Sequence, residues 1–456
     1  MKRFTTDVSA SRYFDLEELV LEENHDQGEG YVVNVFEDVE YQNMIGFGGA
    51  FTESAAYNYA QMSDEQKDEF MKRLFDREEG IGYNFGRMHI NSCDFALEIY
   101  SYVRDGDRTL ETFDISREKR YVIPMVKDAL RYCKEELFLF ASPWSPPAYM
   151  KTNENAVRGG SVKEEYLPVW ALYYAKYIKE MAKEGIKISG ITIQNEPRHG
   201  GPWESCCYTP EQERDFIEQY LAPTLDREGL GDIKIIVWDH NKERVYDRPK
   251  KLFESKAVKE RVWAIGHHWY SGDHFDAIRI AHEKFGKPLI STEICGDISG
   301  NALILAERYA KELIGDANNF TSGFCDWNLM LSHKGGPYHN RNAESVSVPG
   351  LVFEDKSSGC HAPILFDTEK KETIYTPIYY YIGHLSKFVE RGAVRLGTSS
   401  YHDSLRCTAF RNPNGDIVVV VLNWGKHDLP MHLRLDRGLC SCKINAHSIS
   451  TFVIEA

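Results

Sequence analysis

The 456-residue sequence predicts a (β/α)8 barrel with a side β-sandwich domain built from both chain ends. Three observations predict it. Between about Met44 and Leu385, eight short β-rich runs alternate with longer amphipathic helical patterns, the mark of repeated β-then-α units. From about Lys387 the pattern becomes strand after strand, and residues 16–40, with "YVVNVFEDVE", read the same way. No repeat, low-complexity tract or linker divides the two parts. The expected organisation is therefore 1–43 as the N-terminal share of the side domain, 44–386 as the barrel and 387–456 as the remainder of the side domain.

Barrel strands are expected at 45–51, 83–90, 137–141, 189–194, 233–238, 262–267, 288–292 and 321–328. Two of the helices between them announce their starts. "SDEQKDEFMKRLF" (63–75) and "TPEQERDFIEQYL" (209–221) open with Ser or Thr and carry Gln three residues later, the pattern of an N-terminal capping box. The glycines of "GFGGAF" (46–51) lack the lysine and the spacings of a phosphate loop, so they are expected to serve close packing at the end of the first strand. In the side domain, "NPNGD" (412–416) reads as a hairpin turn between "SLRCTAFRN" and "DIVVVVLNW".

Composition sets broad limits. With 42% apolar and 27% charged residues the chain is an ordinary globular protein, and its formal charge of −15 disfavours nucleic acid and anionic membrane surfaces as partners. No run of about 18 apolar residues occurs, so no membrane-spanning helix and no stable membrane insertion are expected. The start, "MKRFTTDVSASRYFDLEEL", has neither an apolar h-region nor a small-residue cleavage site. A cytoplasmic location is expected, with secretion the alternative if the N-terminus is processed. The ten cysteines show no C-x-x-C pair and no regular framework, which fits reduced thiols.

In a barrel of this type the chemistry sits at the C-terminal strand ends. Glu196, in "TIQNEP", follows the fourth strand, and Glu293, in "KPLISTEICGD", ends the seventh. Two carboxyls that face each other across a barrel mouth are the parts needed for glycosidic bond hydrolysis, and a separation of roughly 5–5.5 Å implies retention through a covalent intermediate. Arg87, inside the second strand, points at the same mouth and is expected to keep one carboxylate charged. Asn195 is placed to bond a sugar 2-OH, and Asp94 to bind another hydroxyl. Trp144, Trp269 with Tyr270, and Trp327 lie at strand ends beside polar residues, as sugar-stacking rings do. The plain alternatives are that Asn195-Glu196-Pro197 caps a turn, that Asp94 caps a loop and that single tryptophans pack in the core. His267 and His268 are adjacent on a strand and point to opposite faces, so they do not share an ion, and no third ligand has suitable spacing. Neither a metal nor a cofactor is expected.

The runs "GFGGAFTESAA", "NSCDFAL", "SPWSPPAYMKTN", "TIQNEP", "TPEQERDFI", "HHWYSGD" and "DWNLML…KGGPYHNRN" resemble glycoside hydrolase family 30, in its glucosylceramidase-like branch, over nearly the whole chain. The resemblance implies retaining hydrolysis of β-glucosides, with Glu196 as acid/base and Glu293 as nucleophile. It implies Asp94, Trp144, Asn195 and Trp327 in the glucose pocket. It also implies His268 (or His267), Tyr270 and Asn342 at the entrance, and Arg87 as the strand-two arginine of related barrels. The loop "RHGGPWESCCY" (198–208) departs from the family pattern. The partner implied is a small glycoside or glycolipid. β-Xylosidase and endo-β-1,6-glucanase action are the alternatives within the same chemistry. A non-catalytic carbohydrate-binding protein is the alternative outside it.

Overall fold

In the computed structural model, residues 1–23, 30–339 and 359–456 are described. Eight parallel strands close into a barrel. They are β1 (Gly46–Ala50), β2 (Phe85–Ile90), β3 (Phe138–Pro143), β4 (Ile188–Thr192), β5 (Lys234–Asn241), β6 (Val262–His268), β7 (Leu289–Glu293) and β8 (Thr321–Asn328). β8 pairs with β1 to complete the ring. The boundaries differ from the sequence expectation by a few residues at most strand ends. At Gly48 an added Cβ would meet the Phe85 carbonyl oxygen at 1.4 Å, so the β1–β2 approach excludes any side chain there.

Both anticipated capping boxes form. Ser63 accepts from the Gln66 backbone at the head of the helix Asp64–Phe75, and Thr209 accepts from that of Gln212 at the head of Pro210–Phe216. In each, the Gln side chain returns a bond to the cap backbone. The second helix does not run on as α to Leu221; it widens into a π turn over Ile217–Leu221. Thr209→Ala is expected to cost about 1 kcal/mol, read as a small fall in the denaturation midpoint.

The side domain is a nine-stranded sheet in the order 438–444, 429–435, 32–43, 394–400, 405–411, 417–423, 448–454, 2–7, 12–18. Leu433 and Phe452 lie five strands apart in that order, yet they share one apolar core with Val33, Leu396, Val419 and Val421. The sheet therefore rolls over itself into a sandwich. The turn at 412–416 joins Leu405–Arg411 to Ile417–Asn423 as an antiparallel hairpin. Strand Val32–Asn43 runs antiparallel to Val394–Ser400 and parallel to Leu429–Leu435. Lys2–Asp7 and Gly438–Ile444 were not anticipated, and Arg12–Glu18 lies mostly ahead of the expected stretch 16–40. After β8 the chain forms a further small sheet from Met330–Ser332, Ile364–Asp367 and Glu372–Tyr375, also unanticipated. Among the described residues no helix is long and apolar enough to cross a membrane.

Candidate active site

Inward side chains alternate along each barrel strand. Phe85, Phe140, Ile236, Ala264, Ile290 and Cys325 form one apolar layer. The next inward positions on β2, β3 and β8 hold Arg87, Ser142 and Trp327. A fully buried guanidinium thus lies directly above hydrocarbon, a placement that requires counter-charges. Arg87 has them: Nη1 donates to Glu293 Oε2 at 2.6 Å, and Nη2 to Asp239 Oδ2 at 2.8 Å and Asn195 Oδ1 at 2.9 Å. Its Nε donates to Ser142 Oγ at 3.0 Å. The Trp144 and Trp327 rings cover the cation, with centroids 4.7 and 5.7 Å away, and stack on each other at 5.0 Å.

The backbone at the mouth is bent to aim these groups. Glu196 has φ 47°, and its N–H donates to the Asp239 carbonyl at 3.0 Å. Trp238 and Asp239 also have positive φ, 76° and 49°, and the β5–β6 register slips between Trp238 and His240. That bulge turns Asp239 toward Arg87 and His240 toward Glu196. Left-handed backbone at a non-glycine residue costs on the order of 1–3 kcal/mol. Three such residues meet here.

The two acids share a neighbour. His268 Nδ1 lies 3.2 Å from Glu196 Oε1 and 3.8 Å from Glu293 Oε1. That common contact leaves the pair short of most of the inverting range, roughly 6.5–9.5 Å, and within reach of the retaining separation. Tyr270, 42% exposed at the rim, donates its hydroxyl to Glu293 Oε1 at 2.8 Å. Glu293 therefore has a cation on one oxygen and a hydroxyl on the other.

The charge states follow from these contacts. Burial acts to lower the His268 pKa, but the Glu293 carboxylate and the hydrogen bonds to Asp239 and Glu196 outweigh it and raise it to about 9. Burial acts to raise Glu196, but His240 and His268 outweigh it and hold it well below the usual carboxylate range. Asp239 is held low against its own burial by Arg87 and His268. Asp94 is the opposite case: burial, together with the Glu293 and Glu204 charges, pushes it well above the usual range. Its Oδ1 is buried with no hydrogen-bond partner among the described residues, so it presents a neutral carboxyl to whatever enters. Because the folded His268 pKa exceeds its ordinary value of 6.5, its stabilising contribution is full below about 6.5 and is lost as pH rises through about 9. An NMR titration of its ring protons is expected to show that midpoint, with folding stability falling over the same interval.

The structure brings Arg87, Trp144, Asn195, Glu196, His268, Tyr270, Glu293 and Trp327 to one mouth, with Asp94 close enough to feel both glutamates. His268 is the member of its pair that faces the acids; His267 is buried against Thr321 at 3.0 Å. Trp269 corrects the expectation of a sugar-stacking ring. It is fully buried, donates Nε1–H to the Cys295 carbonyl and packs on Tyr309. Asn342 lies outside the described residues. Asp239 and His240 were missed, although they follow the run "IKIIVW" just as Glu196 follows its own. His240, Glu196 and His268 place three possible ligand atoms within 4.8 Å of one another, a grouping the sequence spacing did not reveal.

Comparison with known proteins agrees with this geometry. Residues 44–389 match the glycosyl hydrolase family 30 TIM-barrel domain, and residues 392–452 match the family 30 beta sandwich domain. The lysosomal acid glucosylceramidase of Mus musculus is 28% identical over 453 residues, 93% of this chain and 84% of its own length. SrfJ from Salmonella typhimurium superposes with a TM-score of 0.93 at 30% identity, over 100% of this chain and 99% of that one. The endo-β1,6-glucanase BT3312 superposes with a TM-score of 0.86 at 26% identity, with the same coverage. With both of its parts matched in order and a paired-carboxylate mouth between barrel strands four and seven, the chain belongs to glycosyl hydrolase family 30 and is a glycosidase.

Proposed function

We propose that this protein is a retaining β-glucosidase of the glucosylceramidase type, with Glu293 as nucleophile and Glu196 as acid/base. The unequal surroundings of the two acids carry the assignment. Glu293 has both oxygens held and aimed, one by Arg87 and the other by Tyr270, as suits a nucleophile. Glu196 faces the imidazole of His268, which can exchange a proton with it.

In the first step a Glu293 oxygen bonds to the anomeric carbon. The glycosidic C–O bond breaks, and the departing oxygen takes a proton from Glu196. In the second, Glu196 takes a proton from water as that water displaces Glu293 from the same carbon, giving net retention. In the free site Glu196 is ionised and His268 holds the proton 3.2 Å away. Acid catalysis therefore requires substrate entry to draw that proton onto Glu196. Burial of the site by the bound sugar favours the transfer, because the neutral pair loses less in a drier medium than the ionic one. Asn195, oriented by Arg87, is placed for the sugar 2-OH, and neutral Asp94 for another hydroxyl.

The relatives point to two kinds of substrate: one is a glucosylceramidase, the other an endo-β1,6-glucanase. The segment 332–345, whose closure over the mouth would favour exo action, lies partly outside the described residues. A panel of aryl β-glucoside, aryl β-xyloside and β-1,6-glucan, read by proton NMR of the first anomer released, tests the proposal. The expected result is β-glucose from the aryl glucoside. Glucan cleavage without aryl-glucoside turnover would reject the exo-glucosidase reading, and α-anomer release would reject retention.

A further inference from the structure

His240 stands beside Glu196, yet the hydrolytic steps do not call on it. It lies at the end of β5, 9% exposed, and its buried Nδ1 makes no well-aligned hydrogen bond among the described residues, its near polar neighbour being Glu196 Oε1 at 3.5 Å. A polar nitrogen in that position is costly unless something occupies it. Three donors converge around the gap: one atom each from Glu196, His240 and His268, all within 4.8 Å of one another.

Two of the three donor spacings, those from Glu196, suit a small tetrahedral ion. Ligand bonds of roughly 2.0–2.2 Å place neighbouring donors about 3.3–3.6 Å apart. The Glu196 oxygen lies 3.2 Å from the His268 nitrogen and 3.5 Å from that of His240. The outer shell is also in place. His268 Nε2 bonds Asp239 Oδ1 at 3.0 Å, which turns Nδ1 toward Glu196, the carboxylate–histidine arrangement that orients a metal ligand. Glu293 Oε1, 3.8 Å from the same Nδ1, stands where a fourth ligand would enter. Around these imidazoles the three carboxylates of Glu196, Glu293 and Asp239 face two cations, Arg87 and the protonated His268, so the cluster keeps a net negative charge, and an ion bound at His268 Nδ1 would displace the proton held there. Two imidazoles among three donors select Zn2+ or Cu2+ over Mg2+ or Ca2+.

We propose that Glu196, His240 and His268 form a binding site for a divalent transition ion of the Zn2+ class, and that filling it shuts the enzyme off reversibly. The ion would hold the Glu196 carboxylate on a metal bond and block the space between the two acids. The binding is independent of the reaction proposed above; the inhibition rests on it.

Equilibrium dialysis against Zn2+, and visible absorption of a Co2+ titration, test the binding. Hydrolysis of an aryl β-glucoside with Zn2+ and then a chelator tests the consequence. The intact protein is expected to take up one ion per chain that is lost in both His240→Ala and His240→Gln, two variants of different bulk checked for folding by near-UV circular dichroism. Co2+ should give the strong visible bands of a four- or five-coordinate site, bands that both variants lose. Zn2+ should abolish turnover, and the chelator should restore it. Absence of saturable uptake, or uptake unchanged in folded His240 variants, would overturn the site. Uptake at this site without inhibition would overturn the regulatory claim. A protein that binds the ion but cleaves no glycoside would leave the site standing and reject the proposed function instead.

Discussion

Replacing Glu293 with Gln is expected to reduce kcat by about 10⁴-fold or more, a barrier increase of about 5 kcal/mol. The fold should persist, since Arg87 keeps its bonds to Asp239 and Asn195. Glu196→Ala is the informative partner. It spares the attacking group, so a glycoside with a good leaving group still forms the glycosyl-enzyme, and added azide captures that intermediate as a β-azide. In a Glu293→Ala variant, azide displaces the aglycone directly and gives an α-azide. Product configuration thus separates the two roles, whereas rate loss alone does not. Unimpaired hydrolysis by Glu293→Gln would end the assignment.

The second large effect is on stability. Arg87→Met keeps the stem of the side chain and removes its charge, leaving Asp239 and Glu293 buried in each other's field with only the His268 imidazolium beside them. Breaking a buried ion pair from one side costs about 3–5 kcal/mol, and here two carboxylates lose their partner. Guanidinium denaturation should show a fall of that size, with loss of activity, because the same side chain orients Glu293 and Asn195. Arg87→Lys should recover only part of it, since an ammonium lacks the planar fork that reaches Glu293, Asp239 and Asn195 together. A change below about 1 kcal/mol for Arg87→Met would show that the cation is not what holds the mouth together.

The acids themselves were legible because each ends an apolar run at a strand tip, a position that in this barrel type faces the mouth. Arg87 was legible for the opposite reason, a charge inside an apolar strand. Asp239 and His240 were not, because the β5 bulge carries the strand past "IKIIVW", where the hydrophobic signal stops, and a bulge leaves no trace in a period-two pattern. Trp269 was misplaced because adjacent residues at a strand end point opposite ways; Tyr270 reaches Glu293, so its neighbour turns inward. In the side domain, "GLCSCKI" (438–444) and "KRFTTD" (2–7) are short and partly polar. They are held by cross-strand pairing to partners remote in sequence, which no local pattern records.

That remote pairing has a consequence in time. Strand Lys2–Asp7 finds its inner partner only at Ser448–Ile454, and Val32–Asn43 lies between strands from 394–400 and 429–435. Residues 2–7 therefore wait for residues 448–454, which are synthesised far later. At roughly 5–20 residues per second, that interval is on the order of 20–90 seconds, during which the barrel can close while the early strands keep their edges unpaired. The exposed stretch is the one in which a nascent chain depends on chaperones. It ends when residues 429–454 arrive and join the early strands in one sheet.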